Sequence, residues 1–270
     1  MGPPFAVRTE TITLLDPTRP TPARGSVPSS PGRRLVTDLF VPSGAPGPLP
    51  LVVFAHGWNS DPSFYEPLLQ QWAQAGFLVA APVFPDSTDL YAGSPVSDYA
   101  DQALDMSFVI TSLLHSQVVS VDRSRIAVAG HSDGGTDVAL LALDPAYADP
   151  RVRAIVCMSG ELPSGVAPYA VGASSAALLV AVGSNDEYGL STRTPLVFQE
   201  AQTSSKAMLI EQGGDHIGSF VDATPAAAAM REETTRFLEL ALEPRPPTSA
   251  AVLGALQPVG SPALTIVPPS

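Results

Sequence analysis

The residues of this chain best equipped for covalent chemistry are Ser132, Asp186 and His216, met in that order along 270 residues. Ser132 stands in Gly130-His131-Ser132-Asp133-Gly134, which fits Gly-x-Ser-x-Gly. The apolar run over 126–129 reads as a buried strand before it, and 136–143 reads as a buried helix after it. Strand, pentapeptide and helix together make a nucleophile elbow, a turn sharp enough to lift the serine Oγ above a sheet edge. Glycines two before and two after the serine let strand and helix approach where a Cβ would clash, and Gly135 adds slack in the first helical turn. The helix N-terminus points its free N–H groups toward a developing oxyanion. Ser132 is the candidate nucleophile.

An unassisted serine hydroxyl is a poor nucleophile and needs a base within hydrogen-bond reach. The chain has four histidines. His131 lies inside the elbow with its side chain directed away from the serine's opening. His115 ends a helix and reads as a solvated cap, and His56 reads as structural. His216 lies on the loop after the last strand and is the candidate base. Asp186 follows an apolar strand and is the candidate acid that holds the base's tautomer, with Glu187 and Glu161 in reserve; Asp215 reads as a loop residue. Two donors must face the oxygen of a tetrahedral intermediate, and the backbone N–H groups of Trp58 and Asp133 are expected to supply them. The Trp58 side chain is then free to wall an acyl pocket, with Tyr65, Leu162, Tyr188, Ile217 and Phe220 as further candidates.

These positions need a scaffold, and the pattern supplies one. Residues 5–15 and 35–41 read as two opening antiparallel strands joined by a Pro-, Ser- and Gly-rich surface loop. A fully apolar strand over 51–55 ends in His56-Gly57-Trp58-Asn59. A helix is expected over 61–76, with Asp61 as N-cap, Pro62 in its first turn and Gly76 as its stop. A strand over 77–81 and a polar loop over 82–95 follow. The helix over 97–115 is expected to bury Ala100, Leu104, Phe108, Leu113 and Leu114. Beyond the elbow come strands over 152–158, 176–182 and 206–211, a low-complexity loop over 159–175, a short helix over 194–201 and a closing helix over 222–242. The fold class is therefore α/β: a mostly parallel sheet with antiparallel N-terminal strands and helices on both faces. Such sheets place sites at the carboxyl ends of their strands, where His56-Gly57-Trp58, Ser132, Asp186 and His216 all fall. Residues 1–243 read as a single domain, and 244–270 as a Pro- and Ala-rich tail laid on the surface or disordered.

Composition narrows the function classes. Net charge is −12, and the 14 Lys and Arg residues are scattered, which argues against nucleic acid as a partner. Charged residues make up only 15%, as suits a sheet buried on both faces. The single cysteine, Cys157, sits in a strand pattern and reads as an inert core residue; no intramolecular disulfide can form. No apolar run reaches the roughly 18 residues that a membrane-spanning helix needs. The first residues lack the basic and apolar regions of a signal peptide, so a cytoplasmic location is expected unless a leader has been trimmed. No cluster has metal-ligand spacing and no Gly-rich phosphate loop follows an early strand, so neither metal nor cofactor is expected. The composition assigns no oligomeric state.

Leu15-Asp16-Pro17-Thr18-Arg19, the run Leu49 to Gly57 and Gly130 to Gly135 together resemble the bacterial dienelactone-hydrolase-like serine esterases. That group adjoins the platelet-activating-factor acetylhydrolases, chlorophyllases and cutinase-type polyester hydrolases. The resemblance runs from about residue 5 to 242 and implies an α/β-hydrolase fold. It also implies Ser132, Asp186 and His216 as triad, Trp58 and Asp133 as oxyanion donors, and a small-molecule or polymeric ester as substrate. True dienelactone hydrolases use a cysteine nucleophile, where this chain has serine. Short loops over 82–95 and 159–175 imply no cap domain and an open cleft. The expected activity is carboxylic-ester hydrolysis on short-to-medium acyl chains. A serine peptidase or acyltransferase on the same fold, or a non-catalytic binder that kept it, are the alternatives.

Overall fold

The apolar run expected over 51–55 forms a strand whose side chains alternate between two hydrophobic cores. Leu51, Val53 and Ala55 enter one core, while Val52 and Phe54 enter the other. This period of two, with both sets fully buried, is what a strand covered by helices on both faces requires. The computed structural model describes residues 4–23, 25, 28–88, 98–163, 170–203, 205–243, 248–256 and 263–268.

The described elements run β1 (Ala6–Asp16), β2 (Arg33–Ser43), β3 (Leu49–Ala55), a 3-10 turn (Pro62–Tyr65) and α1 (Glu66–Gln74). Next come β4 (Leu78–Val83), α2 (Tyr99–Leu114), β5 (Val121–His131), α3 (Asp133–Leu143), β6 (Val152–Met158) and β7 (Ala173–Ser174). The chain continues through β8 (Ala177–Gly183), α4 (Leu190–Glu200), β9 (Gln202–Thr203), β10 (Lys206–Glu211), α5 (Gly218–Val221), α6 (Pro225–Ala241), α7 (Ser249–Ala255) and β11 (Leu264–Val267). Nine strands form one sheet in the order β1-β2-β4-β3-β5-β6-β8-β10-β11, and β7 pairs with β9 apart from it. Pairing is parallel from β4 through β10, and antiparallel at β1/β2, β2/β4 and β10/β11. Helices α2, α3 and α4 pack on one face of the sheet and α1, α6 and α7 on the other. The Trp72 indole N–H donates to Thr234 Oγ1 at 3.1 Å and ties α1 to α6.

The α/β expectation holds, and the differences have local causes. Asp61 does cap, accepting from Ser63 N–H at 2.7 Å, but the turn it caps is 3-10 and the α-helix begins at Glu66. The closing helix starts at Pro225, where Thr224 accepts from Ala227 N–H; a separate turn, α5, occupies 218–221. Helix α2 buries Ala103, Met106, Val109 and Ile110 and leaves Leu104 exposed, because its inner face also carries Gln102 and Asp105. Within the stretch expected as a tail, Val252 and Leu256 enter the core, and β11 pairs along β10 as the edge strand. Its alternation was too short to stand out among prolines. Residues 244–247, 257–262 and 269–270 of that stretch, and parts of the loops over 16–34, 82–95 and 159–175, lie outside the described residues.

The loop between β1 and β2, with the strand ends that bound it, carries more than turns. Arg33 is fully buried, with Nε 2.7 Å from Asp105 Oδ2, Nη2 2.5 Å from Asp98 Oδ2 and Nη1 3.3 Å from Asp86 Oδ2. In Asp16-Pro17-Thr18-Arg19, Asp16 accepts from Thr18 and from Arg19 Nε, and Arg19 Nη2 reaches Asp105 Oδ1 at 2.5 Å. Burial pushes the Asp105 carboxyl up to about 6, against the lowering effect of the Arg33 and Arg19 guanidiniums beside it. The network pins the loop to the first turns of α2. Removing one partner would strand the other charges away from water, which costs about 3–5 kcal/mol. Arg33→Met should therefore lower the urea-unfolding free energy by about that amount, whereas a loss below about 1 kcal/mol would show that the cluster contributes little.

Candidate active site

The strands deliver the site by topology. His56 follows β3, Ser132 follows β5, Asp186 lies just beyond β8 and His216 just beyond β10, all at the carboxyl edge of the parallel sheet. Between β5 and α3, Ser132 adopts φ 59° and ψ −120°, a conformation that costs a non-glycine residue about 1–3 kcal/mol. The elbow glycines explain how packing tolerates it. A Cβ on Gly130 would lie 2.0 Å from Gly134 O, and one on Gly134 would lie 2.2 Å from Ala55 O. Gly135 was expected to loosen the helix; instead its backbone is packed against Met158 O and Gly160, leaving no room for a Cβ.

Ser132, His216 and Asp186 form one hydrogen-bonded chain. Ser132 Oγ lies 3.0 Å from His216 Nε2, and His216 Nδ1 lies 2.7 Å from Asp186 Oδ2. A carboxylate only accepts, so Nδ1 carries the proton and Nε2 is left to accept from the serine hydroxyl. Asp186 Oδ1 also takes the backbone N–H groups of Tyr188 and Leu190, so the residue is turn former and ring partner at once. The reserve acids do other work. Glu187 accepts the backbone N–H of His216 at 3.0 Å, Glu161 pairs with Arg193 at 2.6 Å, and Asp215 takes Gly218 N–H at the start of α5.

Behind this chain stands a second one. Gly57 N–H donates to Tyr65 Oη at 3.1 Å, and Tyr65 Oη lies 2.9 Å from His131 Nδ1. His131 Nε2 is 2.8 Å from the carbonyl oxygen of His216. A carbonyl cannot donate, so Nε2 holds the proton, Nδ1 accepts and the Tyr65 hydroxyl donates. The strut thus joins the loop that carries Trp58 to the loop that carries His216. His131 points away from the serine's opening, as expected, yet it buttresses the residue beside it, its ring 4.5 Å from that of His216. His56 behaves as a structural residue: Nδ1–H donates to Gly57 O at 2.8 Å and Nε2 accepts from Phe84 N–H at 3.0 Å.

A cleft of about 510 Å³ opens above Ser132. Trp58, Tyr188 and Ile217 line it, as the sequence suggests. Tyr65 lines it too, but is buried, with its hydroxyl engaged in the strut. Phe220 and Leu162 are placed elsewhere. Phe220 is fully buried against the His131 ring, and Leu162 packs on the core under α2, α3 and α4. Both are apolar residues that found a core to fill. Sequence reasoning missed Phe64, Tyr99, Thr136 and Arg193 in the lining. Tyr99 donates to Asp133 Oδ1 at 3.1 Å across 34 residues, a contact with no local signature. The signal for the strut was available, because a histidine between buried strand and buried helix must find two partners. Cys157 is buried and burial pushes its thiol up to about 12, in keeping with an inert residue. Among the described residues there is no cluster of His, Cys, Asp and Glu fit to hold a metal, and no helix long and apolar enough to cross a membrane.

Burial depresses both structural histidines, His56 to about 4 and His131 to about 3; the nearby His216 ring lowers His131 further. An imidazole that titrates near 6.5 when unfolded then contributes stability above that pH, which is lost as pH falls toward the folded value. The thermal midpoint should therefore drop steadily from pH 6.5 toward pH 4. The drop should shrink in His131→Gln; an equally steep drop in that variant would assign the acid sensitivity to other groups.

A family model described as Chlorophyllase matches residues 22–160, just over half of the chain. The match spans the His56-Gly57-Trp58 loop and the whole elbow; Asp186 and His216 lie beyond it. No curated protein matches the chain. Among solved structures, a ferulic acid esterase from Streptomyces cinnamoneus aligns with a TM-score of 0.71 over 97% of this chain and 96% of its own, at 19% identity. At that identity the likeness speaks to the fold alone, and the fold is that of an α/β-hydrolase. Family match and fold agree: the chain belongs to the chlorophyllase family and is a carboxylesterase of the α/β-hydrolase superfamily.

Proposed function

We propose that the protein hydrolyses carboxylic esters through an acyl-enzyme on Ser132, with His216 as general base and acid and Asp186 holding its tautomer. The observation that carries the reading is the unbroken chain from Asp186 through His216 to Ser132, ending in an open cleft. As Ser132 Oγ attacks the ester carbonyl, its proton passes to His216 Nε2 across 3.0 Å. The imidazolium that forms is stabilised by the Asp186 carboxylate. The oxyanion is received by the backbone N–H of Asp133, at the first position of α3, and that of Trp58. Support for Trp58 comes from its neighbour: a Cβ on Gly57 would lie 3.0 Å from Ser132 Cβ, so this loop runs against the nucleophile. His216 then gives the proton to the leaving alkoxide, and a water deprotonated by the same ring releases the acid.

The unit for this chemistry is one domain over 1–243, to which the described C-terminal residues add a helix and an edge strand. Short-to-medium acyl esters suit a cleft of about 510 Å³. Among the described residues no separate domain covers it, so bulky or polymeric esters have access from solvent.

Ser132→Ala should cut kcat/KM on p-nitrophenyl acetate by roughly 10⁴–10⁶, leaving what donors and binding supply. Unchanged turnover in that variant would overturn the assignment. Asp186→Asn, which lets the ring take the other tautomer, should lower kcat by roughly 10³–10⁴ with little change in KM. A p-nitrophenyl series from C2 to C12 should peak among the shorter chains. Fluorophosphonate labelling of Ser132 without ester turnover would favour a peptidase or transferase on the same site.

A further inference from the structure

The walls of the cleft differ in kind from those of a plain acyl pocket. Among the described residues three acidic ones line it, Asp133, Glu161 and Glu187, against one guanidinium-bearing residue, Arg193. Arg193 is already spent, with Nη1 2.6 Å from Glu161 Oε2 and Nη2 2.6 Å from Tyr188 O. Asp133 takes a hydroxyl from Tyr99 and Glu187 a backbone N–H, and neither meets a cationic side chain among the described residues. Asp133 directly follows Ser132 in the chain, opens α3 and lines the same cleft. Burial, with Glu161 adding to it, raises the Asp133 carboxyl above its usual range, which a cationic guest would reverse.

Aromatic rings stand over the same space. Trp58 is 51% exposed, Phe64 49% and Tyr188 65%, and these three are among the few large apolar side chains that face solvent. Carboxylates that meet no cationic side chain among the described residues, sharing a cleft with exposed aromatic side chains, make the combination that holds an ammonium group, through charge and through the negative face of a ring. The whole chain assists, since a net charge of −12 attracts cations toward a concave acidic site and repels anions.

We infer that the substrates of this site are esters bearing an ammonium group within a few bonds of the carbonyl, held between the Asp133 and Glu187 carboxylates and the rings of Trp58 and Tyr188. The inference rests on the esterase reading above and names the substrate class for that site. Bond changes are those of ester hydrolysis, with water as the only co-reactant.

The test compares two acetates of equal shape, acetylcholine and its uncharged carbon isostere 3,3-dimethylbutyl acetate, on the full chain at low ionic strength. The charged ester should have a kcat/KM at least about tenfold higher, and the preference should weaken in 0.5 M NaCl. Tetramethylammonium should inhibit p-nitrophenyl acetate hydrolysis at concentrations where tert-butanol does not. In Asp133→Asn and Glu187→Gln the ratio of the two kcat/KM values should fall toward one; a ratio taken within each variant cancels any general loss of turnover. Equal kcat/KM for the two acetates in the unaltered protein, with no inhibition by tetramethylammonium, would overturn the inference while leaving the esterase intact. No turnover of p-nitrophenyl acetate and no labelling of Ser132 would instead overturn the reading beneath it.

Discussion

The site depends on a neutral imidazole that never meets solvent. His131 is buried where charging it would be expensive, so it keeps one donor and one acceptor, and each has a single partner in reach. Through Tyr65 it holds the backbone of Gly57, and through its other nitrogen the backbone of His216. Two loops from strands separated by β5, β6 and β8 in the sheet are thereby fixed relative to each other. Backbone contacts of this kind do not depend on which side chains the loops display. The strut can therefore stay constant while Trp58 and Tyr188 face solvent and contribute to recognition.

The strain at Ser132 is borne in the same way, by surroundings that allow no alternative. Between Gly130 and Gly134 the backbones approach so closely that no Cβ fits, and α3 is buried along its length. A turn held by a fully packed strand and helix cannot relax without opening both cores, so a cost of about 1–3 kcal/mol at one residue is tolerated. The reward is a hydroxyl placed above the sheet edge with a helix N-terminus beneath it. Charge is distributed along the same lines. Deep in the fold, Asp98 and Asp105 are paired with Arg33, whereas at the cleft Asp133 and Glu187 meet no cationic side chain among the described residues. Carboxylates of one type thus serve cohesion in one place and recognition in another.

Much of this was legible along the chain. The elbow announced itself because three signals fell together, an apolar strand run, the Gly-x-Ser-x-Gly spacing and an apolar helix run. The order Ser132, Asp186, His216 followed from asking what lies just past each later strand. By contrast, Phe220 read as a pocket aromatic and packing placed it in the core, while Tyr65 lines the cleft as expected but is buried, with its hydroxyl in the strut. The segment over 263–268 read as tail, because an edge strand paired on one side needs little alternation of its own.

The sequence by itself determined the fold class, and it singled out Ser132, Asp186, His216 and the loops that flank them as the candidate site. Each of these is written in local patterns: periodicity, glycine spacing and the residue types at strand ends. Tertiary structure alone decided that Tyr65 and His131 tie the Trp58 and His216 loops together, that Glu187 and Glu161 turn to other partners, and which aromatics reach solvent. Those outcomes turn on distances between segments many residues apart, such as Tyr65 to His131 or Tyr99 to Asp133, and no local pattern encodes them. Burial then keeps the His56 and His131 rings neutral, because solvation is a property of the folded surroundings and not of the residue type.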